Sequence, residues 1–144
     1  MHDLSIVYPN GNIWFDIRGF FPVPQVQFKK IVKKIIMLDD DREEKAIQLR
    51  EEFEEFIRDN EEEMGSYSKR YAEMIRMAAV MEKKATKVFK DDGTKLTDEE
   101  FKEIKAKMRN YRMWARQYVS QSRALERKND KIRKHIEYLD ELRW

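Results

Sequence analysis

Apolar residues recur in steps of three and four along most of the chain, and the pattern of the last third mirrors that of the middle. Positions whose numbers sum to 189 match: Val88 with Phe101, Ala85 with Ile104, Met81 with Met108, Ala78 with Tyr111, Met74 with Ala115 and Tyr71 with Tyr118. The match continues through Tyr67 with Ser122, Met64 with Leu125, Asn60 with Asn129, Ile57 with Ile132 and Phe53 with Ile136. This spacing gathers one apolar stripe on each helix, and two helices running in opposite directions can bury those stripes against each other. The pattern therefore predicts a mainly α protein built on a long antiparallel helical hairpin, a coiled-coil arm of residues 41–90 and 98–142. Arg50 opposite Leu139 breaks the mirror, and there the seam is expected to give way to a small head that includes Tyr138, Leu142 and Trp144.

The rest of that head, residues 1–38, reads differently. Alternation in Leu4 to Tyr8 and Ile13 to Ile17 around Pro9-Asn10-Gly11-Asn12 predicts a β-hairpin with one apolar face. After Gly19 and Pro22-Val23-Pro24, an amphipathic helix is expected over about Gln25 to Leu38. It carries Phe28, Ile31, Val32, Ile35 and Ile36 on one side and Lys29, Lys30, Lys33 and Lys34 on the other. A two-stranded ribbon is marginal alone, so its apolar face is expected to pack on this helix, leaving no reason to place the helix on a membrane.

One boundary admits two folds. Gly65-Ser66 either turns the chain into a compact helical bundle beside the β-hairpin, or lies inside one helix with Ile47, Leu49, Phe53, Phe56 and Ile57 inward. Continuity has two arguments. Glu61, Glu62 and Glu63 carry the wrong charge for a helix C-terminus, and the heptad passes from Met64 to Tyr67 without a change of phase. An interior Gly costs about 1 kcal/mol, small against a seam of this length. At the other end Asp91-Asp92-Gly93 is a turn, and Thr97 with Glu100 is a capping box that starts the last helix.

Charge changes the picture more than composition does. The 144 residues suit a single domain, with no Cys for disulfides or thiolate chemistry and a net charge of only +2. Yet residues 39–64 hold 13 acidic and 4 basic side chains, and residues 105–134 hold 11 basic and 2 acidic. The mirror sets much of one segment beside the other, so the fold itself answers part of both charges. No run approaches the ~20 apolar residues that span a bilayer, and Met1-His2-Asp3 does not open a secretion signal, so a cytoplasmic protein without membrane contact is expected.

Candidate chemistry is sparse. The stretch Leu96-Thr97-Asp98-Glu99-Glu100-Phe101 resembles the end of an EF-hand loop. With Glu100 as the last ligand, however, Thr94 falls where the loop needs Gly and Phe89 where it needs its first Asp, so calcium is not expected. His2 and His135 have no His or Cys at metal-ligand spacing, and no phosphate loop or nucleophile elbow appears. No cofactor, metal or catalytic residue is assigned, and a non-enzymatic protein is expected. Asn60 opposite Asn129 reads as a register lock.

Two surfaces remain as binding candidates. Ile75, Met77, Val80, Met113, Trp114 and Val119 sit beside the seam beyond reach of the first helix, where they suit a protein partner or a second copy of the chain. In the compact bundle the acidic helix would cover them. Lys102, Arg109, Arg116 and Arg123 recur every seven residues, about 10.5 Å apart on the outward face of the last helix. That row could follow phosphates, although no aromatic stacking platform is evident beside it. The alternative function is accordingly a nucleic-acid binder, or an inhibitor or regulator of a nucleic-acid enzyme whose acidic segment imitates phosphate.

Overall fold

The computed structural model describes residues 22–38, 40–87, 89–90 and 92–142; the expected β-hairpin and Trp144 lie outside them. Among the described residues the order of elements is helix α1 (Gln25–Ile31) running on into a π turn (Val32–Ile36), then helix α2 (Arg42–Thr86) and helix α3 (Asp98–Glu141), with no strand. Helix α2 passes through Gly65 without interruption, so the compact bundle with a turn at Gly65-Ser66 is not the fold. The reason is local as well as tertiary: the acidic residues expected at that boundary would oppose a C-terminus, whereas Lys83 and Lys84 complement the actual one. Contacts divide the chain into two compact units, one of residues 1–61 with 126–144 and one of residues 62–125. Both contain paired stretches of α2 and α3.

In the first unit, α1 fills the space between the N-terminal part of α2 and the C-terminal part of α3. Phe28, Val32 and Ile36 are wholly buried with Leu49, Phe53, Ile132 and Leu139. In a strict α-helix residues four apart drift by about 40° per step. The wider π turn, closed by Met37 N–H donating to Val32 O at 3.0 Å, offsets that drift and keeps all three side chains on the core. The amphipathic helix thus buries its apolar stripe on the two long helices, a partner for it that the local pattern did not indicate. Phe28 meets Phe53 edge-on at 5.6 Å and Tyr138 at 6.0 Å. Ile47, expected inward, is 53% exposed; Ala46 takes the inward position instead, beside Leu49, which is buried as expected.

The register of the seam appears in its polar pair. Asn60 Nδ2 donates to Asn129 Oδ1 at 2.8 Å, both residues buried, as the sum of 189 requires. Two apolar residues would bury more favourably, but an amide pair penalises any slip that leaves one amide alone. At the margins Arg133 pairs with Glu61 at 3.2 Å and Arg50 with Asp140 at 2.9 Å. These half-exposed bridges each contribute no more than about 1 kcal/mol.

The second unit has no third helix among the described residues, and its buried cluster is small: Ala78, Met81 and Met108, with Ile104 and Tyr111 against it. The connection between α2 and α3 is tight. Asp92 Oδ1 accepts from Thr94 N–H at 3.0 Å and from its hydroxyl at 2.6 Å, while Gly93 adopts φ of 85°, a left-handed conformation that favours glycine. Glu100 N–H donates to Thr97 Oγ1 at 3.2 Å, which caps α3. The Thr97 hydroxyl also donates to Glu100 Oε1 at 3.0 Å.

Candidate interaction surfaces

The six apolar candidates all lie in the second unit, and four are open to solvent: Ile75 is 43% exposed, Val80 36%, Met113 53% and Trp114 46%. Met77 and Val119 are half-buried. They do not form one patch. Successive α-helical residues turn by about 100°, so Trp114 and Val119 stand about 140° apart around α3, and Ile75 and Met77 about 160° apart around α2. Val119 lies in a depression of about 130 Å³ with Ser68, Tyr71, Tyr118 and Arg123. Ile75, one turn from Tyr71, belongs to that side.

Trp114 opens the other side. Its indole stacks on Tyr118 at 6.3 Å, and the Tyr118 ring stacks in turn on Tyr67 at 6.0 Å. The Arg70 guanidinium sits over both tyrosine rings, 5.8 Å from Tyr67 and 6.0 Å from Tyr118. Met77, seven residues beyond Arg70, continues the same stripe of α2. The Tyr67 hydroxyl donates to Glu63 Oε1 at 3.0 Å; that hydrogen bond, assisted by burial, raises the phenol above its usual range and keeps it a donor. Arg70 and Tyr67 were absent from the candidates the sequence offered. Their spacing of three shows that they meet each other. Only the pairing of α2 with α3 shows that Tyr118 and Trp114 complete the ladder.

Lys102, Arg109, Arg116 and Arg123 are all exposed on α3. Arg123 differs from the other three because its depression includes Tyr67, Tyr71 and Tyr118, the aromatic neighbours that the one-dimensional pattern lacked.

His135 carries chemistry of a different kind. It is buried in the first unit, 1% exposed, with its ring stacked on Phe28 at 4.1 Å and Nδ1 2.6 Å from Gln25 Oε1. Gln25 Nε2 donates onward to Lys134 O at 3.2 Å, so one amide ties α1 to α3 twice. Burial pushes the imidazole pKa down from 6.5 to about 4; a hydrogen bond with the Val23 backbone opposes the shift and the Lys131 charge adds to it. The residue is a neutral packing group that fastens α1.

Among the described residues no group of three His, Cys, Asp or Glu could hold a metal ion, and no helix is long and apolar enough to cross a membrane. Comparison of the chain with known protein families, with curated proteins and with solved structures finds no match.

Proposed function

We propose that this chain is a non-enzymatic interaction protein whose paired helices dock onto a protein partner through the Trp114 side of the second unit. The observation that supports the reading is the half-exposed Trp114 held against Tyr118 and Tyr67 with Arg70 over the rings. Trp, Tyr and Arg are the residues that most often anchor interfaces, because each combines large contact area with a polar or cationic feature, and the two aromatic ones have few rotatable bonds to immobilise. Stacking also holds the indole in place before a partner arrives, so less side-chain entropy is lost on docking. A photoreactive benzophenone side chain introduced at position 114 tests this in the native cell. Discrete protein adducts are expected there and not from the same group at Lys102, and copurification of the adduct partner should be lost in Trp114→Glu. Absence of adducts at 114, or copurification indifferent to Trp114→Glu, would refute the reading.

A second reading has one observation in its favour. Arg123 beside Tyr67, Tyr71 and Tyr118 offers a cation next to rings, the combination that single-stranded nucleic acid uses. Gel shifts at low salt should then show binding that weakens steeply with salt and disappears in Arg116→Glu/Arg123→Glu. No shift with DNA or RNA at low salt eliminates direct nucleic-acid binding, and binding to a basic nuclease would instead favour an inhibitor whose acidic helix imitates phosphate.

A further inference from the structure

Where α2 hands over to α3, the second unit holds a cleft of about 620 Å³ with an apolar floor that includes Met81, Leu96 and Ile104. Five lysines line it: Lys83, Lys84, Lys87, Lys90 and Lys107. The carboxylates in the same cleft are turned to local tasks. Asp92 accepts from Thr94, Glu100 holds Lys90 at 2.7 Å, and Glu103 lies 4.0 Å from Lys107. The side chains of Lys83 and Lys84 make no ion pair among the described residues. Their place in the last turn of α2 suits the helix dipole, but the dipole alone gives no reason for an apolar floor between them and Lys107 on the neighbouring helix.

The first unit carries the complementary surface. Ile47 stands 53% exposed in a depression lined by Asp40, Glu43, Glu44 and Glu51. An isolated exposed Ile is ordinary. An Ile ringed by carboxylates on one unit, and an apolar floor ringed by lysines on another, match in both chemistry and sign.

We propose that the acidic face around Ile47 of one copy docks into the lysine-rimmed cleft of a second copy, Ile47 covering the Met81 and Ile104 floor while Glu43, Glu44 and Glu51 face Lys83, Lys84 and Lys107. The contact joins two different surfaces, so it is heterologous and each copy offers one of each. It extends the interaction reading to a specific partner but does not use the Trp114 side. Charge steers such an encounter and selects its register, whereas the apolar anchor holds it.

Sedimentation velocity on the full chain tests the proposal, with circular dichroism confirming that each variant keeps its helices. Ile47→Lys alters only an exposed side chain, and Lys83→Glu/Lys84→Glu alters only the rim. The wild type should associate as concentration rises, about tenfold more weakly once high salt screens the rim. Each variant alone should associate at least about tenfold more weakly than the wild type. An equimolar mixture of the two should recover a one-to-one complex, because the intact cleft of one meets the intact acidic face of the other. A wild type that remains a monomer at low salt and high concentration overturns the proposal, as does a mixture that stays monomeric. Association that survives Ile47→Lys but is lost in Trp114→Glu also overturns it, while leaving docking through Trp114 standing.

Discussion

Protonating His135 should loosen the first unit. Above pH 6.5 the imidazole is neutral in both folded and unfolded chains, and its packing contributes in full. Below 6.5 the unfolded chain takes up a proton that the folded chain refuses until about pH 4, since charging the ring there means burying a cation against Phe28 and Phe53 and beside the Lys131 charge. The unfolded state then binds more protons, so stability falls as pH falls through that window and this group's contribution levels off below it. A gap of about 2.5 pH units at 1.36 kcal/mol each makes the loss about 3 kcal/mol. Urea unfolding of the wild type and of His135→Phe, followed by circular dichroism from pH 7 to pH 4, isolates it. Phenylalanine keeps a ring against Phe28 but cannot titrate, and every other ionisable group is common to both proteins and cancels in the difference. The wild type should lose about 3 kcal/mol more than the variant, and a ring titration by NMR should place the His135 midpoint near 4. Parallel stability curves, or a midpoint near 6.5, would refute the reasoning.

The two described glycines should respond in opposite directions. Gly65 lies mid-helix with nothing within 4 Å of an added Cβ, so Gly65→Ala should stabilise by about 0.5–1 kcal/mol in urea melts. Gly93 also has open space but a φ of +85°, so Gly93→Ala should destabilise by about 1 kcal/mol. Asn129→Leu should cost about 1–3 kcal/mol by leaving the Asn60 amide buried without its partner, whereas Asn60→Leu/Asn129→Leu should recover much of that loss; a double variant no better than the single would show that the bond is not what the position requires. Phe28→Ala should cost about 3–5 kcal/mol and expose α1 to hydrogen exchange ahead of the Asn60 region; equal protection of both segments would show that α1 is not fastened by its ring.

Periodicity carried a good part of the fold. The three-and-four spacing, the capping residues at Thr97 and Glu100, and the unbroken heptad phase across Gly65 are properties of neighbouring residues, and neighbouring residues decide where a helix begins and which stripe it buries. The mirror about 189 also reached a tertiary fact, the meeting of Asn60 with Asn129, because antiparallel register follows once both stripes are known. Side-chain destinations off the seam were not available in this way. Ile47 reads as core by hydropathy but lies outside because Ala46 and Leu49 hold the inward phase. The expected apolar patch divides between two sides because its members differ in helical phase, and its Trp114 half, with Tyr118 one turn along α3, gains Arg70 and Tyr67 through approach across the seam.

What the sequence by itself determined was two long helices, their register and their turn, because each depends on residues within a few positions or on one repeating stripe. Only the tertiary structure decided that α1 packs on the long helices, that His135 is a neutral core residue, and that a lysine-rimmed cleft and an acidic Ile47 face both exist. Those depend on which surfaces the packing of helices leaves covered or open, a property of the assembled fold that no single stripe contains.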